Sequence, residues 1–238
     1  MKLRLMICAA AAGTALFAED VTSATYGVLA VSESTVSNVV VGVPWRGITE
    51  SEPMTDITLS NLVSTATLAE NDIVYLYEDG KWYGYSITAS GGWNPMTTIG
   101  TNTVTSAGAA DEKTMARGSG LVIQRASSAT PIYLCGRYDK TAPSATSISA
   151  NSTTLIANPK TVAVNITAGN TGDEILVPGN GGTMTVYEKR DDGWYGTVTD
   201  TTFGFPVTRK QKLSDGVPLG AGKGAFYVSK GAACSISW

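Results

Sequence analysis

The sequence predicts an all-β protein, two tandem β-sandwich modules of jelly-roll-like character with little helix. Three observations carry this. A hairpin pattern occurs twice: Tyr75-Leu76-Tyr77-Glu78 passes through Asp79-Gly80-Lys81 into Trp82-Tyr83-Gly84, and Thr185-Val186-Tyr187-Glu188 passes through a charged bend at 189–193 into Trp194-Tyr195-Gly196. Each reads as an aromatic and β-branched strand, a tight turn and an aromatic return strand. The other apolar runs are equally short and are separated by Gly, Asn, Asp, Ser and Pro clusters, a spacing that favours sandwiches or small barrels over alternating α/β folds. Finally, the chain holds 26 glycines and no long amphipathic helical period.

In chain order, Lys2 and Arg4 precede an apolar, alanine-rich run over 5–18, and Ala18-Glu19 is a plausible cleavage point. Residues 1–18 therefore read as a secretion signal, since the run falls short of the roughly 20 residues a spanning helix needs. The first module is expected over 19–138, a Ser/Thr/Ala-rich linker over 139–152 and the second module over 153–238. Strands are expected at 26–31, 36–43, 57–59, 73–78, 82–88, 120–125, 131–135, 153–157, 161–167, 183–188, 194–199, 224–229 and 234–238, with a short helical segment around 60–70. With the Trp-Tyr-Gly triplets aligned, Trp93 falls opposite Phe205. Gly118-Ser119-Gly120 then answers Gly222-Lys223-Gly224, and Val41-Gly42-Val43-Pro44 answers Ile156-Ala157-Asn158-Pro159. Residues 19–31 end in a β-prone run, Tyr26 to Val31, with no copy at the start of the second module. Such a strand either completes a sheet of its own chain or adds to the edge of a neighbouring molecule.

Composition excludes several chemistries. The chain has no histidine, which removes Ser-His-Asp and Cys-His catalysis, His-ligated zinc and a histidine proton shuttle. Loss of Lys2 and Arg4 from the 17 basic residues, against 20 acidic ones, leaves the mature chain at −5. That is the wrong sign for a general nucleic-acid binder. The carboxylate pairs Asp111-Glu112, Asp173-Glu174 and Asp191-Asp192 are adjacent in sequence, so on a strand they point to opposite faces and read as solvated turns. Asn170 to Glu174 offers oxygen ligands at loop spacing but lacks a full calcium-loop pattern, and a polar turn explains it. The run Gly220-Ala221-Gly222-Lys223-Gly224 lacks the Ser/Thr and following helix of a phosphate loop. Catalytic residues, cofactors and metals are accordingly expected to be none.

Two cysteines survive signal cleavage, Cys135 and Cys234; an exported context permits a bridge, and each also suits a small buried hydrophobe. Trp82 and Trp194 are expected to pack the cores. Trp45 and Trp93, less constrained by the repeat, are the candidate glycan contacts.

The order Leu155-Ile156-Ala157-Asn158-Pro159, then Gly172 to Val177 with Val186-Tyr187-Glu188, Gly193-Trp194-Tyr195 and Gly220 to Val228 resembles a largely uncharacterised module of secreted and cell-surface proteins of Gram-negative bacteria. Its pattern is a LIxNP strand, a tyrosine hairpin and a PxGxGF strand. Residues 37–44, 71–77 and 118–123 resemble it a second time. The resemblance implies a β-sandwich and carries over no catalytic residues. The expectation is thus an exported, non-catalytic structural or adhesive protein of the periplasm, outer-membrane surface or extracellular space. Its partner would be a second copy through 19–31 or a surface glycan, without nucleic acid and without an integral membrane span. The alternative is a carbohydrate-binding module.

Overall fold

The computed structural model describes residues 27–31, 38–42, 57–62, 68–78, 81–99, 102–103, 108–110, 112–115, 118–126, 132–136, 145–160, 162–179, 183–200 and 207–238. These are all-β apart from one helical turn, as the composition and turn spacing predict. The first half contains β1 (Gly27–Val31), β2 (Asn38–Gly42), β3 (Ile57–Thr58), α1 (Leu59–Leu62), β4 (Ile73–Glu78), β5 (Lys81–Ile87), β6 (Trp93–Pro95), β7 (Thr98–Ile99), β8 (Asn102–Thr103), β9 (Thr114–Met115), β10 (Gly120–Gln124) and β11 (Ile132–Gly136). The second half contains β12 (Ala145–Ile148), β13 (Thr153–Ala157), β14 (Val164–Ile166), β15 (Glu174–Pro178), β16 (Met184–Arg190), β17 (Gly193–Asp200), β18 (Val207–Lys212), β19 (Val217–Leu219), β20 (Gly224–Val228) and β21 (Cys234–Ser237).

A five-stranded sheet runs β2-β10-β4-β5-β6, and a six-stranded sheet runs β13-β20-β15-β16-β17-β18. Around them lie the pairs β1-β11, β3-β9 and β7-β8 in the first half and β12-β21 and β14-β19 in the second. Every pairing is antiparallel, and the order of pairings occurs twice along the chain. Gly42 stands opposite Gly120 as Ala157 stands opposite Gly224. Ile57 pairs with Met115 as Val164 pairs with Leu219.

This correspondence corrects two expectations. The Trp-Tyr-Gly hairpins do not occupy matching places: β4-β5 lies directly beside the inner strand β10, whereas β16-β17 lies one strand farther from its counterpart β20. Residues 73–87 match 174–189 instead, and Trp93, paired with Ile87, matches Trp194, paired with Lys189. The second correction concerns 145–148, placed in the expected linker. It is β12, and it pairs with β21 as β1 pairs with β11, so β1 has a counterpart after all. Of the segment 19–31, residues 27–31 pair with Ile132–Gly136 of their own chain, and 19–26 lie outside the described residues. Of the helical segment expected around 60–70, the described residues include the turn α1, and 63–67 lie outside them; β6 to β9, β12, β15, β18 and β19 lie outside the strands the sequence marked.

Alternation of side chains sets up two faces on each sheet. One face of the six-stranded sheet buries Ile156, Ala225, Tyr227, Ile175 and Trp194 against Ile148, Ile166, Val217, Leu219 and Ile236. The equivalent face of the five-stranded sheet carries Val74, Leu76, Tyr85, Ile87, Leu121 and Ile123, all buried together with Leu59 and Met115. The opposite faces of the two sheets meet in a third cluster, in which Tyr75 and Val122 pack on Leu155 with Ile73, Tyr77 and Phe226 at the margin. At this junction Ser119 bridges Ile156, and the Ala157 N–H donates to the Gly118 carbonyl at 3.0 Å. A Cβ on Gly120 would come within 2.7 Å of Leu155 Cγ and 3.0 Å of the Ile156 carbonyl oxygen, so glycine is what lets the strands approach here.

Candidate functional site

The densest polar chemistry in each half is a buried aspartate at the entrance to a strand. Asp72 precedes β4 and Asp173 precedes β15, and both are fully buried. The Asp72 carboxylate accepts from the Ala69 N–H at 2.8 Å, the Ala126 N–H at 2.7 Å and Arg125 Nε at 2.8 Å. Asp173 accepts from the Asn170 N–H at 2.8 Å, the Lys230 N–H at 2.9 Å and the Tyr227 hydroxyl at 2.6 Å. The backbone repeats the match: Ile87 N–H donates to the Asp72 carbonyl as Lys189 N–H donates to that of Asp173. The residue before each aspartate sits in the left-handed region, Asn71 at φ 66° and Gly172 at φ 91°, which those two residue types tolerate best. Each carboxylate thus ties a turn to the segment leaving the inner strand. A buried carboxylate is stable only when its lone pairs are filled, and here protein donors fill them.

That arrangement decides the reading of Asn170 to Glu174. Its carboxylate most suited to a cation already accepts three hydrogen bonds, so the segment is a structural turn. Among the described residues, no three His, Cys, Asp or Glu side chains converge as a metal site would require. The second donor pocket has its own consequence. Burial, and next the hydrogen bond to Asp173, holds the Tyr227 phenol well above the usual tyrosine range. The Cys234 thiol is free and lies 3.5 Å from the same hydroxyl. No bridge to Cys135 therefore exists in this structure.

Asn158 explains the asparagine of the Leu155 to Pro159 motif. Fully buried, it directs Nδ2 at the carbonyls of Val162, Leu219 and Gly220, at 2.8, 3.0 and 3.0 Å, while Oδ1 accepts from the Lys160 N–H at 2.9 Å. It gathers two loops beside the glycine run. Lys223 in that run is half-buried, its ammonium pKa lowered by desolvation, and the next residue begins β20. At the β16-β17 turn, Asp192 is exposed and accepts from Lys212 Nζ at 3.1 Å and the Tyr195 hydroxyl at 3.0 Å. These bonds, Lys212 foremost, hold its carboxyl below the ordinary aspartate value. It is a solvated turn, as adjacency in sequence suggested.

The tryptophans separate by role. Trp194 is buried, with its ring edge-on to Tyr227 at 6.2 Å and Nε1 donating to the Thr167 carbonyl at 3.3 Å. Trp93, a candidate glycan contact, holds the matching place and stacks edge-on to buried Tyr85 at 6.1 Å. Trp82, expected in a core, is instead 37% exposed and leans on Tyr77 at 5.0 Å. Trp45 lies outside the described residues. The exposed large apolar side chains among the described residues are Trp82, Val162, Met184 and Val186. Trp82 pairs with Tyr77 and Met184 pairs with Pro178, so these two stand at matched positions of the two sheets. The sequence signal for this match was the turn aspartate followed by an aliphatic run, Asp72-Ile73-Val74 and Asp173-Glu174-Ile175, rather than the Trp-Tyr-Gly triplet.

No helix among the described residues is long and apolar enough to cross a membrane. No family model matches the chain, and neither a curated protein nor a solved structure matches it.

Proposed function

We propose that the protein is an exported, non-catalytic structural or adhesive component of the cell envelope or of an extracellular assembly, built from two copies of one β-unit. The observation that carries this reading is the matched pair of aspartate locks. The buried carboxylates of both halves, with Arg125 and Tyr227, are engaged in fastening turns to strands, a mechanical use of polar groups that shapes a scaffold rather than a reaction centre. The recurrence of six strand pairings in the same chain order in each half supports the two-copy organisation. The basic start and apolar run over 1–18 support export.

The reading is tested by fractionating cells that express the full chain, sequencing the N-terminus of the recovered protein and probing intact cells with protease. Cleavage near Ala18 and recovery in the envelope or medium are expected. An uncleaved protein retained in the cytoplasm would overturn the proposal.

A further inference from the structure

One apolar row crosses the six-stranded sheet in register: Leu155 opposite Phe226, Phe226 opposite Leu176, Leu176 opposite Val186. Its first two members lie under the five-stranded sheet, whereas Val186 is 36% exposed and Met184, in the adjoining row opposite Pro178, is 44% exposed. The five-stranded sheet carries the counterpart: Val122 opposite Tyr75, Tyr75 opposite Gly84, with Tyr77 and Trp82 in the adjoining row. Here too the inner members are covered and the outer one, Trp82, is open. The two faces already recognise each other within the chain, through Tyr75 and Val122 on Leu155 and Phe226, and each continues past the region the other covers.

From this continuity we infer that the uncovered halves are a self-association surface, and that the Tyr77-Trp82 face of one molecule docks on the Leu176-Met184-Val186 face of a second copy. The inference rests on the assembly role proposed above and names its contact. The occupant is a second copy rather than a sugar because the matched position holds Trp82 in one sheet and Met184 in the other. What the two share is apolar bulk suited to sheet packing, not an aromatic plane. The outer edge of the six-stranded sheet argues the same way. Strand β18 presents Thr208, Arg209, Lys210, Gln211 and Lys212, a charged edge that discourages strand-to-strand addition, so the sheet face and not the edge is the open route. Because the two docking faces differ, the contact is head-to-tail and repeats along a fibre or ring.

Sedimentation of the mature protein over a wide concentration range is the test, with Trp82→Lys and Met184→Lys as blocking variants. The mature protein should show a mass that rises with concentration. Each variant alone should remain monomeric, while an equimolar mixture should form a dimer and stop, since each variant keeps one intact face. Met184→Lys alters an exposed side chain, so its melting temperature should match the parent and its loss of association is readable even if Trp82→Lys folds poorly. A mature protein that stays monomeric at all concentrations would overturn the inference while leaving the envelope role standing. So would a Met184→Lys protein that associates as the parent does. Binding of a glycan array by a monomer, abolished by Trp82→Ala, would replace this surface with a carbohydrate site.

Discussion

Trp194→Ala and Trp82→Ala should part company sharply, although both residues follow the same kind of turn in sequence. Trp194 is 2% exposed, and its six-membered ring lies over Gly169, where a Cβ would come within 2.7 Å of the ring and of the Tyr227 hydroxyl alike. Gly169 has φ 141° and sits beneath both aromatic groups, so the backbone beneath the ring is already at its closest approach and cannot collapse into the space an alanine leaves. The full cavity cost should therefore be paid, about 3–5 kcal/mol for a buried aromatic cut to alanine. At roughly 2–4 °C per kcal/mol for a chain of this size, the melting temperature should fall by about 6–20 °C. Trp82 keeps more than a third of its surface in water and packs on Tyr77 and edge-on to Tyr75, so its truncation should cost less, on the order of 2 kcal/mol, the scale of two aromatic pairs. Urea titrations followed by far-UV circular dichroism measure both. If the halves unfold in separate steps, only the transition of the second should move in Trp194→Ala. Equal losses for the two variants, or an unchanged Trp194→Ala protein, would refute the assignment of roles.

The aspartate locks give a second contrast: Asp72→Ala leaves Arg125 buried without its carboxylate and should cost about 3–5 kcal/mol, whereas simultaneous Asp72→Ala and Arg125→Met should recover part of that loss, both read from denaturant midpoints. The third expectation concerns alkali. Tyr227 has its pKa raised in the folded state, so its contribution to stability is complete below the unfolded tyrosine value of about 10 and is lost as pH rises beyond it. Phenolate absorbance should therefore show a cooperative step that coincides with unfolding. Tyr227→Phe should lessen the steepness of stability loss above that pH, and an unchanged profile would show that another group controls alkaline unfolding.

What could be read from the sequence follows from how each strand is buried. Strands β4, β5, β10, β13 and β20 were legible because aromatic and β-branched side chains crowd short segments that are covered on at least one face. Strand β12 was not, because of Ala145-Thr146-Ser147-Ile148 only Ile148 reaches the core and the rest resembles a linker. Strand β18 was hidden for the opposite reason: as the outer edge of a sheet it needs no apolar face, and Thr208 to Lys212 are all exposed. The aspartate locks were missed as sites because a lone carboxylate in a polar turn is ordinarily solvated. Burial of Asp72 and Asp173 depends on donors from residues 126 and 230, more than fifty positions away in each case.

The misalignment of the hairpins has the same origin and leads to the functional reading. Trp-Tyr-Gly after a turn is a local pattern, and local chemistry is the same whether a hairpin lies beside the inner strand of a sheet or one place farther out. Position in the sheet is set by the lock aspartate, which fixes where the strand before the hairpin begins. Once that register is used, Trp93 and Trp194 coincide and keep their identity because each packs on a buried tyrosine, Tyr85 in one half and Tyr227 in the other. Trp82 and Met184 coincide too, but differ in chemistry while both remaining large, apolar and exposed. A core position constrains shape; an open position beside an already covered apolar row constrains only that something be buried there. Water alone would favour a polar side chain at both places, since exposing so much apolar surface gains nothing for an isolated molecule. The self-association inferred above would bury the apolar bulk that both matched outer positions carry, on faces that already pack against each other within the chain.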